Sequence, residues 1–280
     1  MELAIAEIAA AGAHHVEPAF IRGYVDFDEG MFTGTKAVKL RRTAGNAGLR
    51  INAVSAHLDL SGPDAVDALS RRIAFAGGLG ASFLITNAGP MMNRAIIRRT
   101  IDVVLPRLER ANIVLALENP GHGHGDLLGS AQLGASFIRE IGSRHVRLNH
   151  DAGNVFTYSG ETLQPAQDIA AAIDTVGHAH LKDIVSTGAG WAFCAVGDGS
   201  VGYGPYWAIL PATLPVSIEL PLRLERPQRH DPQRRNTPVD IATIRSALQR
   251  SLHFVSSLEI AQSRDFRTTT VPNPRPRGTT

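Results

Sequence analysis

The run Gly177-His178-Ala179-His180-Leu181-Lys182-Asp183 decides how this chain is read. It has the character of a short buried strand, and side chains alternate faces along a strand. His178, His180 and Lys182 therefore point one way, and Ala179 and Leu181 the other. Three titratable groups on one face of a buried strand need a reason in the fold. Residues 166–176, just before it, suit a helix, so the local unit is a helix feeding a strand.

The same unit recurs on both sides. Strand material lies at 15–18, 51–57, 82–86, 113–120 and 145–151 upstream, and at 215–219 downstream. Helical stretches lie at 3–11, closed by Gly12, and at 36–47, 63–78, 92–111, 130–141, 206–210 and 240–257. Successive strands are spaced by roughly 30–38 residues, the length of a βα unit. Strict alternation implies a parallel sheet covered by helices. Seven such units favour an α/β fold of the (β/α)8 TIM barrel type. A barrel needs eight strands, yet the chain opens on a helix, so the first strand is missing or lies upstream of Met1. A seam of that kind exposes sheet edges unless something covers it. That is a motive for a homo-oligomer. The expected division is a barrel over 1–263 and a disordered Pro/Arg-rich tail over 264–280.

Composition narrows the function classes. The chain has 280 residues, 44% hydrophobic and 19% charged, with a net charge of only +2. Those values suit a globular enzyme and argue against a nucleic-acid partner. The single cysteine, Cys194, rules out an internal disulfide and a Cys-rich metal site. No apolar run reaches the ~18 residues of a membrane span, and no basic leader precedes an apolar segment. A cytoplasmic location without a membrane partner is the expectation.

In such a barrel the C-terminal ends of the strands converge on one mouth. Those ends carry Glu17, His57, Asn87, Glu118, Asp151, His180 and Glu219. Four successive strands thus deliver Glu118, Asp151, His180 and Glu219 to one cavity. Mixed carboxylate and imidazole donors suit Mn²⁺, Co²⁺ or Mg²⁺. Without a cation, three clustered carboxylates would repel one another. The rim offers further groups. His122 and His124 stand in a Gly-spaced loop, and Arg223 could pair with an anionic part of a ligand. The run Gly197–Gly204 reads as a mobile rim or lid. Its backbone N–H groups could cradle a phosphate, though the spacing is not that of a P-loop.

The segments LALENPGHGHGD, RLNHDAGNVF, GHAHLKD, VGDGSVGYG and VSIELP, in this order, resemble the xylose isomerase-like barrel superfamily of sugar isomerases and epimerases. Ketose 3-epimerases, hydroxypyruvate isomerase and inosose dehydratase belong to it. The resemblance implies that Glu118, Asp151, His180 and Glu219 bind one divalent metal, with Glu118 and Glu219 also forming the acid/base pair. It implies a metal-dependent isomerase or epimerase working on a small keto-sugar through an enediolate. The alternative is a dehydratase or decarboxylase of a keto-sugar, inosose or keto-acid on the same site. His57, Asn154, His178, Lys182 and His124 are the expected substrate contacts.

This sequence also departs from its relatives. Asn154 replaces a frequent histidine, His124 a substrate-binding glutamate, and Ser186 an arginine. No named sugar is carried over. Apurinic endonucleases share the barrel, but they need a trinuclear cluster and a basic groove, which the single set and low charge do not supply. A non-catalytic sugar-binding barrel would not need a complete acid/base pair.

Overall fold

The computed structural model describes residues 1–268. Seven parallel strands form one sheet in the order β1 (Ala19–Phe20), β2 (Ala53–Ala56), β3 (Phe83–Thr86), β4 (Val114–Glu118), β5 (Val146–Asp151), β6 (Val176–Leu181) and β9 (Val216–Ile218). Helix α1 (Glu2–Ala10) precedes β1, and between the strands run α2 (Gly34–Asn46), α3 (Ala65–Leu79), α4 (Arg94–Ala111), α5 (Ala131–Ile141), α6 (Ala152–Tyr158), α7 (Pro165–Ala170) and α8 (Tyr203–Ile209). The helix boundaries follow local chemistry. Thr33 and Ser130 side chains accept from Lys36 N and Leu133 N at the starts of α2 and α5. Gly80 and Gly142 close α3 and α5 with φ of 76° and 70°, a conformation that favours glycine.

Strand alternation builds a layered interior. Ala53, Ile85 and Ala116, with Phe83 against them, form a small apolar cluster of their own. Two residues further along these strands the same face carries Ser55 and Glu118. The next strands contribute Asn149 and Asp151, then His178 and His180, then Ser217. Register places them side by side, with Glu118 opposite Asn149, Asn149 opposite His178, and Asp151 opposite His180. The apolar layer is a floor and the polar layer lies above it.

The sheet is one strand short of eight, as the sequence implies, and among the described residues no strand joins β1 to β9. Other contacts span the seam. Glu17, just before β1, lies 2.9 Å from His180 Nε2 of β6, the strand beside β9. Outside, Arg245 of α9 (Ile241–Thr268) pairs with Glu7 of α1 at 2.8 Å. Helix α9 crosses the boundary expected at 263; the rest of the expected tail, 269–280, lies outside the described residues.

The largest departure from expectation is a second sheet at the barrel mouth. β7 (Asp183–Thr187), β8 (Gly190–Cys194), β10 (Leu224–Pro227) and β11 (Gln233–Arg234) pair antiparallel in the order β11-β10-β8-β7. The alternative of a phosphate cradle at Gly197–Gly204 is also corrected. The buried Asp183 carboxylate accepts from the N–H groups of Gly197, Gly199 and Val201 at 2.9–3.2 Å. A resident anion already holds that turn, and an added Cβ at Gly199 would overlap Asp183 Oδ1.

The segment after β1 is fixed by a buried cation. Arg72, fully buried on α3, donates to both Glu29 carboxylate oxygens at 2.9 Å and lies 4.2 Å over the Phe32 ring. Hydrogen bonds from Arg72 and Arg22 hold Glu29 down at about 2. A depressed carboxylate adds stability above its unfolded value, near about 4.3, and loses it as pH falls toward 2. Glu29→Gln should therefore destabilise the fold at pH 7 by on the order of 2–4 kcal/mol, allowing for the partial exposure of the glutamate. Urea unfolding of both proteins should show the gap closing between pH ~4.3 and 2. A gap independent of pH would mean that the ion pair is not its source.

Candidate metal centre

Glu118 ends β4, Asp151 ends β5, His180 lies near the end of β6, and Glu219 follows β9. Each offers one ligand atom, and these atoms lie within 4.8 Å of one another. His180 Nδ1 stands 3.2 Å from Glu118 Oε2, 3.5 Å from Glu219 Oε2 and 3.9 Å from Asp151 Oδ2. The other ring nitrogen, Nε2, is 2.9 Å from Glu17 Oε1. The ring is therefore oriented, with Nδ1 toward the carboxylates and Nε2 toward Glu17. Glu17, His178 and His180 form a second, overlapping group with donor atoms equally close.

Amides fix the carboxylates. Asn149 Nδ2 donates to Glu118 Oε2 at 2.8 Å, and Asn154 Nδ2 to Glu118 Oε1 at 3.1 Å. Asp151 Oδ1 caps α6 by accepting from Asn154 N at 2.8 Å. Asn119 Oδ1 accepts from Asp151 N at 2.8 Å, while its Nδ2 donates to Asp151 O at 3.0 Å. Lys182 Nζ lies 2.8 Å from Asp151 Oδ2 and 3.1 Å from Glu219 Oε2.

The electrostatics follow from burial and crowding. Burial, with Glu219 and Glu118 nearby, raises Asp151 to about 7 against the pull of Lys182. Burial would also raise Glu219, but Lys182 holds it at about 2. Burial opposes the charge on His180, and the Glu17 and Glu118 carboxylates keep it well above the ordinary imidazole range. Lys182 is likewise raised, burial being outweighed by Asp151 and Glu219. Four carboxylates thus face two cationic side chains. Glu17 Oε2 is buried without a hydrogen-bond partner among the described residues, while Asp151 Oδ2 faces Lys182 Nζ at 2.8 Å. An oxygen-rich cage with more carboxylates than cationic side chains to answer them fits a hard divalent cation.

The five expected substrate contacts separate by position. His57 Nε2 is buried 3.6 Å from Glu118 Oε2 and has no hydrogen-bond partner among the described residues. Asn154 holds Glu118 and α6, and Lys182 sits among the carboxylates. His178 is braced at both nitrogens, by Asn149 Oδ1 at 2.8 Å and Ser217 Oγ at 3.2 Å, and burial lowers it to about 4. His124 is exposed on the rim, with its ring 6.3 Å from that of Tyr158. Arg223 gives its Nε to Arg235 O on the outer sheet.

Three further residues take part. Asn149 bridges Glu118, His178 and His180, and strand alternation from Asp151 would have found it. Glu17 orients His180. Tyr24, in the segment after β1, lies within electrostatic reach of Lys182, Glu219, Arg226 and Glu118, and burial pushes it to about 12. No sequence pattern marks Tyr24.

Comparison with known proteins gives a consistent fold. An L-ribulose 3-epimerase structure aligns with a TM-score of 0.70 at 19% identity, covering 97% of this chain and 93% of that one. A D-psicose 3-epimerase from Clostridium cellulolyticum H10, solved with D-tagatose, aligns at 0.68 and 14% identity, covering 92% and 93%. A probable 3-DHS dehydratase from Bacillus anthracis aligns at 0.64 and 13%, covering 90% and 92%. A comparison with curated sequences gives no match. No helix among the described residues is long and apolar enough to cross a membrane. The family profile matches residues 5–246, so the chain belongs to the xylose isomerase-like TIM barrel family.

Proposed function

We propose that the protein is a divalent-metal-dependent isomerase or epimerase of a small keto-sugar, with Glu118, Asp151, His180 and Glu219 holding Mn²⁺, Co²⁺ or Mg²⁺. The observation that carries this reading is the convergence of the four donors in one cage, with two glutamates on strands separated by β5 and β6. The ion would supply Lewis-acid stabilisation of the oxyanion that develops when a proton leaves the carbon beside a carbonyl. Glu118 and Glu219 are the acid/base pair, approaching from different sides of the ring. Both Glu118 oxygens accept amide N–H groups, which orients that carboxylate. Glu219 Oε2 is held by Lys182, while Oε1 has no partner among the described residues. Oε1 is therefore the atom assigned to take the first proton. Returning it from the other side inverts the centre; returning it to the neighbouring carbon moves the carbonyl. A reducing cytoplasm suits the lone free Cys194.

Dehydration or decarboxylation of a keto-sugar or keto-acid would begin with the same proton abstraction. The test is product analysis of a panel of keto-sugars, keto-acids and inososes with Mn²⁺ in deuterated water. Epimerised or isomerised sugar carrying deuterium beside the carbonyl supports the proposal. Release of water or carbon dioxide moves the assignment to the lyase alternative. No turnover of any of them by metal-loaded protein contradicts both.

Glu17 gives a separate prediction. A carboxylate on the far nitrogen of a ligating histidine fixes its tautomer and strengthens it as a ligand. Glu17→Ala should weaken Mn²⁺ binding about 10–100-fold by calorimetry. Unchanged affinity would reduce Glu17 to a structural brace between Ser55 of β2 and His180 of β6.

A further inference from the structure

A cavity of about 430 Å³ is lined by the loops that follow Glu118 and Glu219. His122 and His124 enter it from the loop after Glu118, and Tyr158 from the end of α6. Arg226 enters from β10, with Arg229 and His230 following it. The chain leaving each of the two glutamates therefore runs into this cavity.

Arg226 is the unusual member. It is only 4% exposed, yet it has no carboxylate partner among the described residues. Arg72, which is also buried, is answered by Glu29. A buried charge is costly unless something pairs with it. Arg226 donates from Nε to His230 O at 2.7 Å and from Nη1 to Gly121 O at 2.6 Å, and it lies 4.7 Å over the Trp191 ring. Its plane is therefore fixed, while Nη2 has no partner among the described residues. The other lining charges do not answer it. Arg229 is paired with Glu161 at 2.8 Å, and Asp231, the one lining carboxylate, is exposed and makes no ion pair with Arg226. A fixed guanidinium edge beside several imidazoles is suited to carboxylate or phosphate oxygens.

Packing connects the cavity to the metal centre. Gly121 O also accepts from Thr157 Oγ1, and an added Cβ at Gly121 would overlap Asn154 Oδ1. Asn154 in turn donates to Glu118.

We propose that this cavity is an anion subsite, where Arg226, aided by His122, His124 and His230, binds a carboxylate or phosphate at the far end of the molecule held by the metal centre. The metal-side half of this proposal rests on the carbohydrate reading above; the anion half stands on Arg226.

The test is calorimetry on the Mn²⁺-loaded full chain with D-ribulose, D-ribulose 5-phosphate, 2-keto-D-gluconate and sulfate. At least one of the two anionic sugars should bind about tenfold or more tightly than D-ribulose, a gap typical of a charge-assisted contact. Preference for the phosphate sugar or for the keto-acid identifies the group. Arg226→Met should abolish both that preference and sulfate binding. Because Arg226 also ties the Gly121 loop to β10, the double variant His124→Ala/His230→Ala is measured in parallel. It leaves both backbone acceptors of Arg226 in place and should lower the preference several-fold. D-ribulose binding as tightly as both anionic sugars, with no sulfate binding, would overturn the subsite and leave the carbohydrate reading intact. Arg226-dependent sulfate binding with no sugar bound would keep the subsite and overturn the carbohydrate reading. Anion preference unchanged in both variants would overturn the assignment to this cavity.

Discussion

Glu219→Gln is expected to lower turnover about a hundred- to ten-thousandfold, the usual worth of a positioned general acid or base, while the protein still binds its metal. The amide keeps one oxygen as a ligand but cannot accept a proton from carbon. Lys182 Nζ is 3.1 Å from Glu219 Oε2, so the glutamine carbonyl has a donor that fixes its rotamer. That orientation puts the new NH₂ where Oε1 stood, at the atom assigned to proton transfer. Glu118→Gln should cost a similar factor in turnover and should also weaken the metal. Asn149 and Asn154 each donate to a different Glu118 oxygen, so either orientation of the amide sets two N–H donors against each other. Steady-state rates and Mn²⁺ titrations on both variants separate the two effects. Wild-type turnover in both would remove Glu118 and Glu219 from the chemistry.

The second large effect is the response of stability to metal. Glu118, Asp151 and Glu219 share a buried cage, and burial, with the neighbouring Glu219 and Glu118 carboxylates, raises Asp151 to about 7. A ligand that binds only the folded state stabilises it by about 2.7 kcal/mol at a hundred times its Kd. For a chain of this size that corresponds to roughly 5–10 °C in Tm. Mn²⁺ should produce that rise in the wild type and a chelator should reverse it. In Asp151→Ala the rise should vanish, because one of the three carboxylate donors of the cage is gone. Thermal melts of Asp151→Ala without metal provide the control, since Asp151 also caps α6 at Asn154 N. An Mn²⁺ response retained in the variant would place the ion elsewhere.

Much of this was legible in the sequence because strand geometry is strict. A period of two, read from Gly177–Asp183, puts His178, His180 and Lys182 on one face, and the barrel turns that face inward. The same rule applied to β5 pairs Asn149 with Asp151. What escaped lies where no period operates. β7 and β8 join through Gly188 and Ala189, β10 ends at Pro227, and β11 has two residues, so their short runs read as loop. Arg226 and Tyr24 sit in such segments, and only the fold brings them to the mouth. The turn at Gly197–Gly204 was misread for a different reason. Its N–H groups are taken by Asp183, fourteen residues before Gly197, and a local motif does not record a partner supplied by another strand.

The central claim is that Glu118, Asp151, His180 and Glu219 together hold one divalent ion. The most direct measurement is the Mn²⁺ content of the wild type and of Glu118→Ala, Asp151→Ala, His180→Ala and Glu219→Ala after equilibrium dialysis. The account predicts one ion per wild-type chain and a large loss of bound ion in each folded variant. A wild type that takes up no ion, or four variants that each keep a full one, would contradict it.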